Sequence, residues 1–573
     1  MGRCSNDGPV EAEGAGIMAK ADEYDYVVVG GGTSGCALAA RLAARGDARV
    51  LLLEAGPPDR HWTIQIPSAI GRNYLGGPYN WAFWSTPQAA LGGRTTFQPR
   101  GHVLGGSSSV NGRVFLRGHA LDYERWAKDE GATGWSYAEV LPYFRRMERY
   151  LGTPSPYRGA DGPVVVRKGT PDHPIDAAFL RAGEQAGYAL TDDVNSARRE
   201  GFGSWDMNID AGVRANSAHA YLRGPRRDSL TVVTGARATR IVFDGRRARG
   251  IEYRKDGARH VVNAAREVVL GAGAFQSPQL LMLSGIGPAD HLRAHGIPVL
   301  HDAPDVGENL QDHMFLFLQY ESKEKISFNP HARGARMVLA GLRWFATRGG
   351  PAASNHLEVG AFFRSRAGVE HPDMQVHFRP LLLDGWRPSK SHGYNFGVGP
   401  LRPTSRGTVR LASADPLAAP VIDPRYLSTE RDWRDMRDNF RLTREVALQK
   451  AFDRFRGRQV TPAGEAGTDG EIDAHIRAEA ASGYHPSCTC RMGSDARAVC
   501  APDLRVRGVE NLRVVDASVF PSIPSANTNA SAFMLGERAS DLIRGETLPA
   551  DPLPHAPSEG WREAQRRPPV VRL

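Results

Sequence analysis

Three glycines, Gly30, Gly32 and Gly35, stand in the order G-x-G-x-x-G with Thr33 and Ser34 between the last two. They follow an apolar run, DYVVV, and open a small-residue segment, GCALAARLAAR, that reads as a helix. A glycine turn of this kind exposes backbone amides at a helix N-terminus, where they can receive a pyrophosphate. Glu54 closes the next apolar run, at the position where a carboxylate can accept hydrogen bonds from the ribose of a dinucleotide. Turn, helix and acid together predict a nucleotide-binding βαβ unit. NAD and FAD share this fingerprint, but no second one of equal quality follows, because GAGAFQS from Gly271 lacks the third glycine. One dinucleotide is expected.

The elements that must position this site are spread along the chain. Residues 60 to 120 are rich in Gly, Pro, Trp and Asn and read as an extended stretch wrapped around something. Residues 122 to 150 read as helical, with Trp126, Val140, Leu141 and Phe144 as candidate core. The segments LTVVTGARATRIVF, GIEYR and EVVLGAGAF carry the β-branched enrichment of strands and are expected to join the nucleotide sheet. Residues 321 to 480 mix alternating runs such as DMQVHF with helical runs such as DWRDMRDNFRLTREVALQKAF and read as a second lobe. After Tyr484 the small-residue style returns, with NLRVVDASVF as a strand and FMLGERASDLIR as a helix. A chain of 573 residues exceeds a single core, so two lobes are the expectation.

Charged residues make up 24% and hydrophobic ones 41%, which excludes a fibrous or wholly disordered chain. The formal net charge of +9 is not gathered into a basic run; with no recognised nucleic-acid module, no nucleic-acid partner is expected. No stretch approaches the roughly 20 apolar residues of a membrane span. The start of the chain has no apolar signal core, and the five cysteines are sparse and odd in number. These observations point to a reducing, cytoplasmic setting and leave open peripheral attachment at an inner membrane. Cys488 and Cys490, with no second pair, give no metal site.

Four blocks resemble the signatures of the glucose-methanol-choline (GMC) oxidoreductase family, in the family's order: PRGHVLGGSSSVNGRVFLRG from Pro99, GAGAFQSPQLLMLSGIGP from Gly271, YHPSCTCRMG from Tyr484 and NLRVVDASVFPSIPSANTNASAFMLGER from Asn511. The resemblance runs from about Asp25 to Gly545. It implies an α/β fold: a Rossmann-like FAD-binding domain assembled from residues 24–150, 215–320 and 481–546, and an α+β substrate-binding domain with a large antiparallel sheet from 151–214 and 321–480. Residues 1–23 and 547–573 are expected to be disordered tails.

The resemblance also assigns roles. His485 is the base beside the flavin, and a neutral imidazole suits proton abstraction from an alcohol. Asn527 takes the second catalytic position, where an amide orients the hydroxyl by hydrogen bonding. Cofactor contacts are implied for Ala55, Trp81, Gly105, Gly106, Asn111, Ala238, Asp516, Ala517 and Thr528, besides the Gly30–Gly35 loop and Glu54. Some relatives attach FAD through a His just before the Asn of the second block; Val110 stands there, so FAD is expected to be non-covalent. The stretches LQYESKEKISFNP, SNHLEVGAFFRS, RDWRDMRDNFRLTREV and FRGRQVTP resemble the choline-oxidising members, which favours choline, oxidised to betaine aldehyde, over aliphatic, aryl or polyether alcohols. A non-catalytic flavin-binding protein is the remote alternative. A quaternary ammonium calls for aromatic faces and a carboxylate, for which Tyr484, Trp81 and Glu358 are the candidates. The electron acceptor, quinone-like carrier or oxygen, stays open at this point.

Overall fold

A computed structural model describes residues 23–566 apart from 75, 225, 226 and 465. The strand Glu23–Val29 is central to a seven-stranded sheet. Its valines, Val27 and Val28, are fully buried, so the strand is apolar on both sides, as a parallel strand covered on both faces is expected to be. It pairs in parallel with Val50–Glu54 on one side and Ala258–Leu270 on the other. Leu230–Thr234 extends the sheet beyond Val50–Glu54, and Leu512–Val514 pairs with the end of Ala258–Leu270, both in parallel. Arg237–Asp244 and Arg247–Lys255 add an antiparallel meander.

The helices Thr33–Leu42 and Asn529–Arg544 meet over this sheet although nearly 500 residues separate them. Gly536 permits the approach, since a Cβ there would stand 2.5 Å from the Ser34 carbonyl oxygen. The Ser34 hydroxyl donates to the Ala532 carbonyl at 2.7 Å, and Arg41 pairs with the fully buried Glu537 at 2.9 Å. The C-terminal segment thus closes back on the first βαβ unit.

A second seven-stranded sheet runs Arg456–Thr461, Met314–Ser322, Gly393–Pro400, Met374–Arg379, Val359–Phe363, Gly201–Ser204, with Ala481–Ser482 also paired to Met314–Ser322, antiparallel throughout. Alternation along Met314–Ser322 sorts its two faces. Leu316, Leu318 and Tyr320 enter a core shared with Phe179 of helix Pro174–Gln185 and Phe440 of helix Glu430–Ala447. Phe315 and Phe317 point the other way, toward the nucleotide sheet.

Some expected boundaries move. Met314–Ser322 is one strand of the second sheet, so a division at 320 cuts through it. Glu148–Tyr150, Val164–Lys168 and Asp206–Met207 form a small sheet of their own, which a division at 150 also cuts. Glu23 belongs to the first strand rather than to a tail, and residues 1–22 lie outside the described residues. The segment expected to fray after Glu546 instead lies along the body to residue 566. Leu548 donates its N–H to the Tyr143 hydroxyl at 2.9 Å, Asp551 its N–H to the Ala138 carbonyl at 2.7 Å, and Arg566 pairs with Glu445 at 2.6 Å. Residues 567–573 lie outside the described residues.

Candidate active site

One continuous cavity of about 350 Å³ lies between the two sheets. One end is built from backbone. Gly30 has φ +104°, and a Cβ there would stand 2.4 Å from the Gly271 carbonyl oxygen; a Cβ on Gly35 would stand 2.0 Å from the Gly30 carbonyl oxygen. Both glycines are needed for packing of the turn. Gly32 is different: the nearest atom to its would-be Cβ is 3.8 Å away, and Gly32, Thr33 and Ser34 line the cavity at the N-terminus of their helix. Gly106 seals the cradle from the opposite loop, at φ +52°, with its would-be Cβ 2.7 Å from the Gly32 Cα.

Glu54 accepts the Gly31 N–H at 2.9 Å and the Gly56 N–H at 2.7 Å. Burial nevertheless lifts its carboxyl to about 7, the two amides opposing that rise only in part. Asp516 accepts the Gly273 N–H at 2.9 Å and the Ser518 N–H at 2.8 Å, and so fixes a second glycine turn at the start of helix Gly273–Leu283. Ala55, Trp81, Ala238, Ala517 and Thr528 all line the same cavity. Trp81 stands beside Arg237, whose guanidinium carbon lies 5.1 Å from its ring centre, so it sits with Ala238 rather than at the His485 end. Asn111 lines the wall, its side-chain oxygen held by Arg214 at 3.0 Å and by the Arg113 N–H at 3.1 Å. Gly-built space at a helix N-terminus, a buried acid at the strand end and a long cavity beyond them fit a dinucleotide extended along the groove. Val110 lines it too, and a hydrocarbon side chain offers no atom for a covalent link to a flavin.

The other end is built from side chains. His485 lies in a loop that follows Tyr484, whose φ is +65°. Asp312 holds this loop by accepting the His485 N–H at 2.8 Å and the Ser482 hydroxyl. His485 Nδ1 lies 3.0 Å from His313 Nδ1, and His313 Nε2 lies 2.9 Å from the Leu401 carbonyl oxygen. A carbonyl can only accept, so His313 carries its proton on Nε2 and presents a lone pair at Nδ1. His485 must then donate from Nδ1, which leaves a lone pair on its Nε2. That lone pair receives the Asn527 side-chain N–H at 3.0 Å, and the Asn527 oxygen in turn accepts from Gln375 Nε2 at 3.2 Å. Burial, followed by the neighbouring His313, His377 and Arg100, holds the His485 imidazole well below its ordinary value. Burial likewise lowers His313 to about 4. Both rings are neutral near neutral pH.

His485, Asn527 and Tyr484 therefore meet in the cavity with the cradle residues, but three expected residues do not line it. Gly35 is committed to packing against Gly30. Gly105 donates its N–H to the Gly31 carbonyl at 2.7 Å and so braces the loop. Glu358 is the third. Its carboxylate accepts the Thr170 N–H at 3.0 Å, pairs with Arg167 at 3.3 Å and takes the Ser354 hydroxyl. Asp312, His313, Gln375 and His377 escaped the sequence reading. The only local signal was an Asp-His pair immediately before the apolar run MFLFLQY.

The GMC oxidoreductase family model matches residues 24–315, and a second model of the same description matches residues 403–536. The chain belongs to the GMC oxidoreductase family. It is 48% identical over 556 residues to the mitochondrial choline dehydrogenase of Homo sapiens, covering 94% of this chain and 93% of that protein. It is 46% identical to the oxygen-dependent choline dehydrogenase of Photobacterium profundum, covering 95% and 97%. Among solved structures, pyridoxine 4-oxidase from Mesorbium loti superimposes with a TM-score of 0.83 at 31% identity, over 91% of this chain and all of that one. Like other GMC oxidoreductases, the chain is an FAD-dependent oxidoreductase acting on CH–OH donors.

Proposed function

We propose that His485 removes the hydroxyl proton of an alcohol at its Nε2 while Asn527 orients the hydroxyl oxygen. The observation that carries this reading is the chain of hydrogen bonds from Leu401 through His313 to His485, which leaves the Nε2 lone pair at the cavity end. Bound non-covalently, FAD supplies the acceptor for the carbon-bound hydride. An arriving hydroxyl replaces the Asn527 N–H as the partner of His485 Nε2, and that amide then donates to the developing alkoxide. The protonated ring keeps its Nδ1–H on His313, so the new charge is stabilised by a hydrogen bond to a neutral imidazole. The Gly30–Gly35 turn, Glu54, Asn111 and Asp516 hold the cofactor. In the matching division into domains, the substrate lobe takes the whole strand from Met314.

Choline, oxidised to betaine aldehyde, is the substrate favoured by the relatives' names and by the aromatic wall of Phe315, Phe317, Trp386 and Tyr484, which offers π faces to a quaternary ammonium. One observation favours a second reading, an uncharged aliphatic, aryl or polyether alcohol. With Glu358 engaged by Thr170, Arg167 and Ser354, the carboxylates lining the cavity among the described residues are Glu54 and Asp516, both held by backbone amides at the cofactor end, while Arg379 lines the wall with His377. Anaerobic stopped-flow reduction of the flavin by choline, 1-octanol, benzyl alcohol and polyethylene glycol separates the two. Fast, saturable bleaching by choline alone supports the first; bleaching by the uncharged alcohols supports the second. Reoxidation by oxygen or by a soluble quinone, compared in the same instrument, identifies the class of electron acceptor.

A further inference from the structure

The helix Gly334–Thr347 packs on the body through only two fully covered side chains, Ala340 and Trp344, which meet Ile66 and Ala352. Its outer face is apolar and turned to solvent. Val338, Leu339, Leu342 and Phe345 are 56%, 63%, 60% and 53% exposed, and their spacing of one, four and seven residues from Val338 puts them on a single stripe. Trp62, 41% exposed, extends the stripe from a neighbouring segment, its ring centre 6.4 Å from that of Phe345. Four such side chains turned to water on one helix mark an interaction surface.

The charges carried by the helix itself and by the Trp62 segment are of one sign. Arg336 and Arg343, seven residues apart, line one edge of it on the helix; Arg333 and Arg348 stand at its two ends, and Arg72 lies over the Trp62 ring at 5.6 Å. All five are exposed. No Asp or Glu occurs between Lys325 and Leu357 or between Arg60 and Asn80. An apolar stripe edged by these arginines is complementary to a layer that is apolar within and anionic at its surface. A second copy of the chain would set arginine against arginine across a two-fold axis. Among the described residues no helix is long and apolar enough to cross a membrane, so contact through this face would be interfacial.

We infer that the helix Gly334–Thr347 and Trp62 form a docking face for an anionic phospholipid bilayer. The segment beneath the helix carries Ile66, packed against Trp344, and four residues further Ile70, which lines the active-site cavity. Docking through this face brings that side of the cavity to the lipid, where an apolar electron acceptor dissolved in the bilayer is concentrated.

The test is co-sedimentation of the FAD-loaded full chain with vesicles of phosphatidylcholine alone and of phosphatidylcholine containing about a quarter phosphatidylglycerol. The full chain is expected to sediment with the anionic vesicles and to be released by salt. Leu342→Glu combined with Phe345→Glu should weaken binding by at least about tenfold, and Arg336→Glu with Arg343→Glu should abolish the preference for anionic lipid. In each variant the flavin spectrum and its reduction by alcohol in solution should match the parent, which separates loss of docking from loss of fold. Failure of the parent chain to sediment, or equal sedimentation of parent and variants, overturns the proposal. So does light scattering that shows a dimer in the parent and a monomer in Leu342→Glu/Phe345→Glu, which would assign the face to a second copy.

Discussion

The two ends of the cavity are made by opposite means. The cofactor end is made of backbone: glycines at forced φ values, amides at a helix start, and an acid whose oxygens are held by Gly31 and Gly56. The reactive end is made of side chains, His313, His485, Asn527 and Gln375, each orienting the next. Backbone geometry is all or nothing at a given glycine, whereas a side-chain relay degrades by steps. Substitutions at the two ends should therefore fail differently.

The largest effect is expected at Gly30. Gly30→Ala places a methyl group 2.4 Å from the Gly271 carbonyl oxygen at a φ of +104°, where both clash and strain oppose it. The purified variant should carry little FAD by its absorbance at 450 nm, with no alcohol-driven bleaching. At the other end, His313→Phe keeps the ring volume but removes the acceptor that fixes the His485 tautomer. The hydrogen bond lost is to a ring that becomes charged in the reaction, worth about 1.5–3 kcal/mol, so flavin reduction should slow by roughly ten- to a hundredfold while FAD content is kept. His313→Asn, which restores an acceptor near the former Nδ1, should recover part of that rate. Equal rates in Phe and Asn variants would reduce His313 to a packing residue.

Two smaller effects sharpen the contrast through pH. His485 sits well below its ordinary value, so the rate of flavin reduction should show no acid limb near 6.5 and should decline only at distinctly lower pH. A limb centred at 6.5 would mean a solvated base. Glu54 behaves inversely. Its carboxyl is raised from 4.5 to about 7 in the folded chain without cofactor, so between those values the folded state retains a proton that the unfolded state has lost. Stability of the apoprotein should fall as pH rises through that window, and Glu54→Gln should flatten the slope. Thermal unfolding of the two apoproteins across that window measures it.

The same contrast explains what could be read from the sequence. The cradle is local: Gly30 to Glu54 lie within one βαβ unit, and turn, helix and acid announce themselves by order and spacing. The strands that join it were legible from β-branched runs. The relay is not local. His313 and His485 are 172 residues apart, and Gln375 and Asn527 152, so no periodicity relates them. His485 and Asn527 were reached only through family resemblance, and His313 not at all. Nor is the engagement of Glu358 legible, since the partners of its carboxylate, Arg167 and Thr170, lie 191 and 188 residues away. The segment after Glu546 misled for a similar reason. Its prolines and arginines read as unstructured, but Arg566 finds Glu445 on the second lobe.

The central claim is that His485 Nε2 is the base at the side-chain end of the cavity. Anaerobic stopped-flow reduction of the flavin by a saturating alcohol, in the parent chain and in His485→Ala at matched FAD content, tests it most directly. Retained FAD with a rate lower by roughly 10²–10⁴-fold is the expected result; a near-normal rate in the variant would contradict the assignment and the relay built upon it.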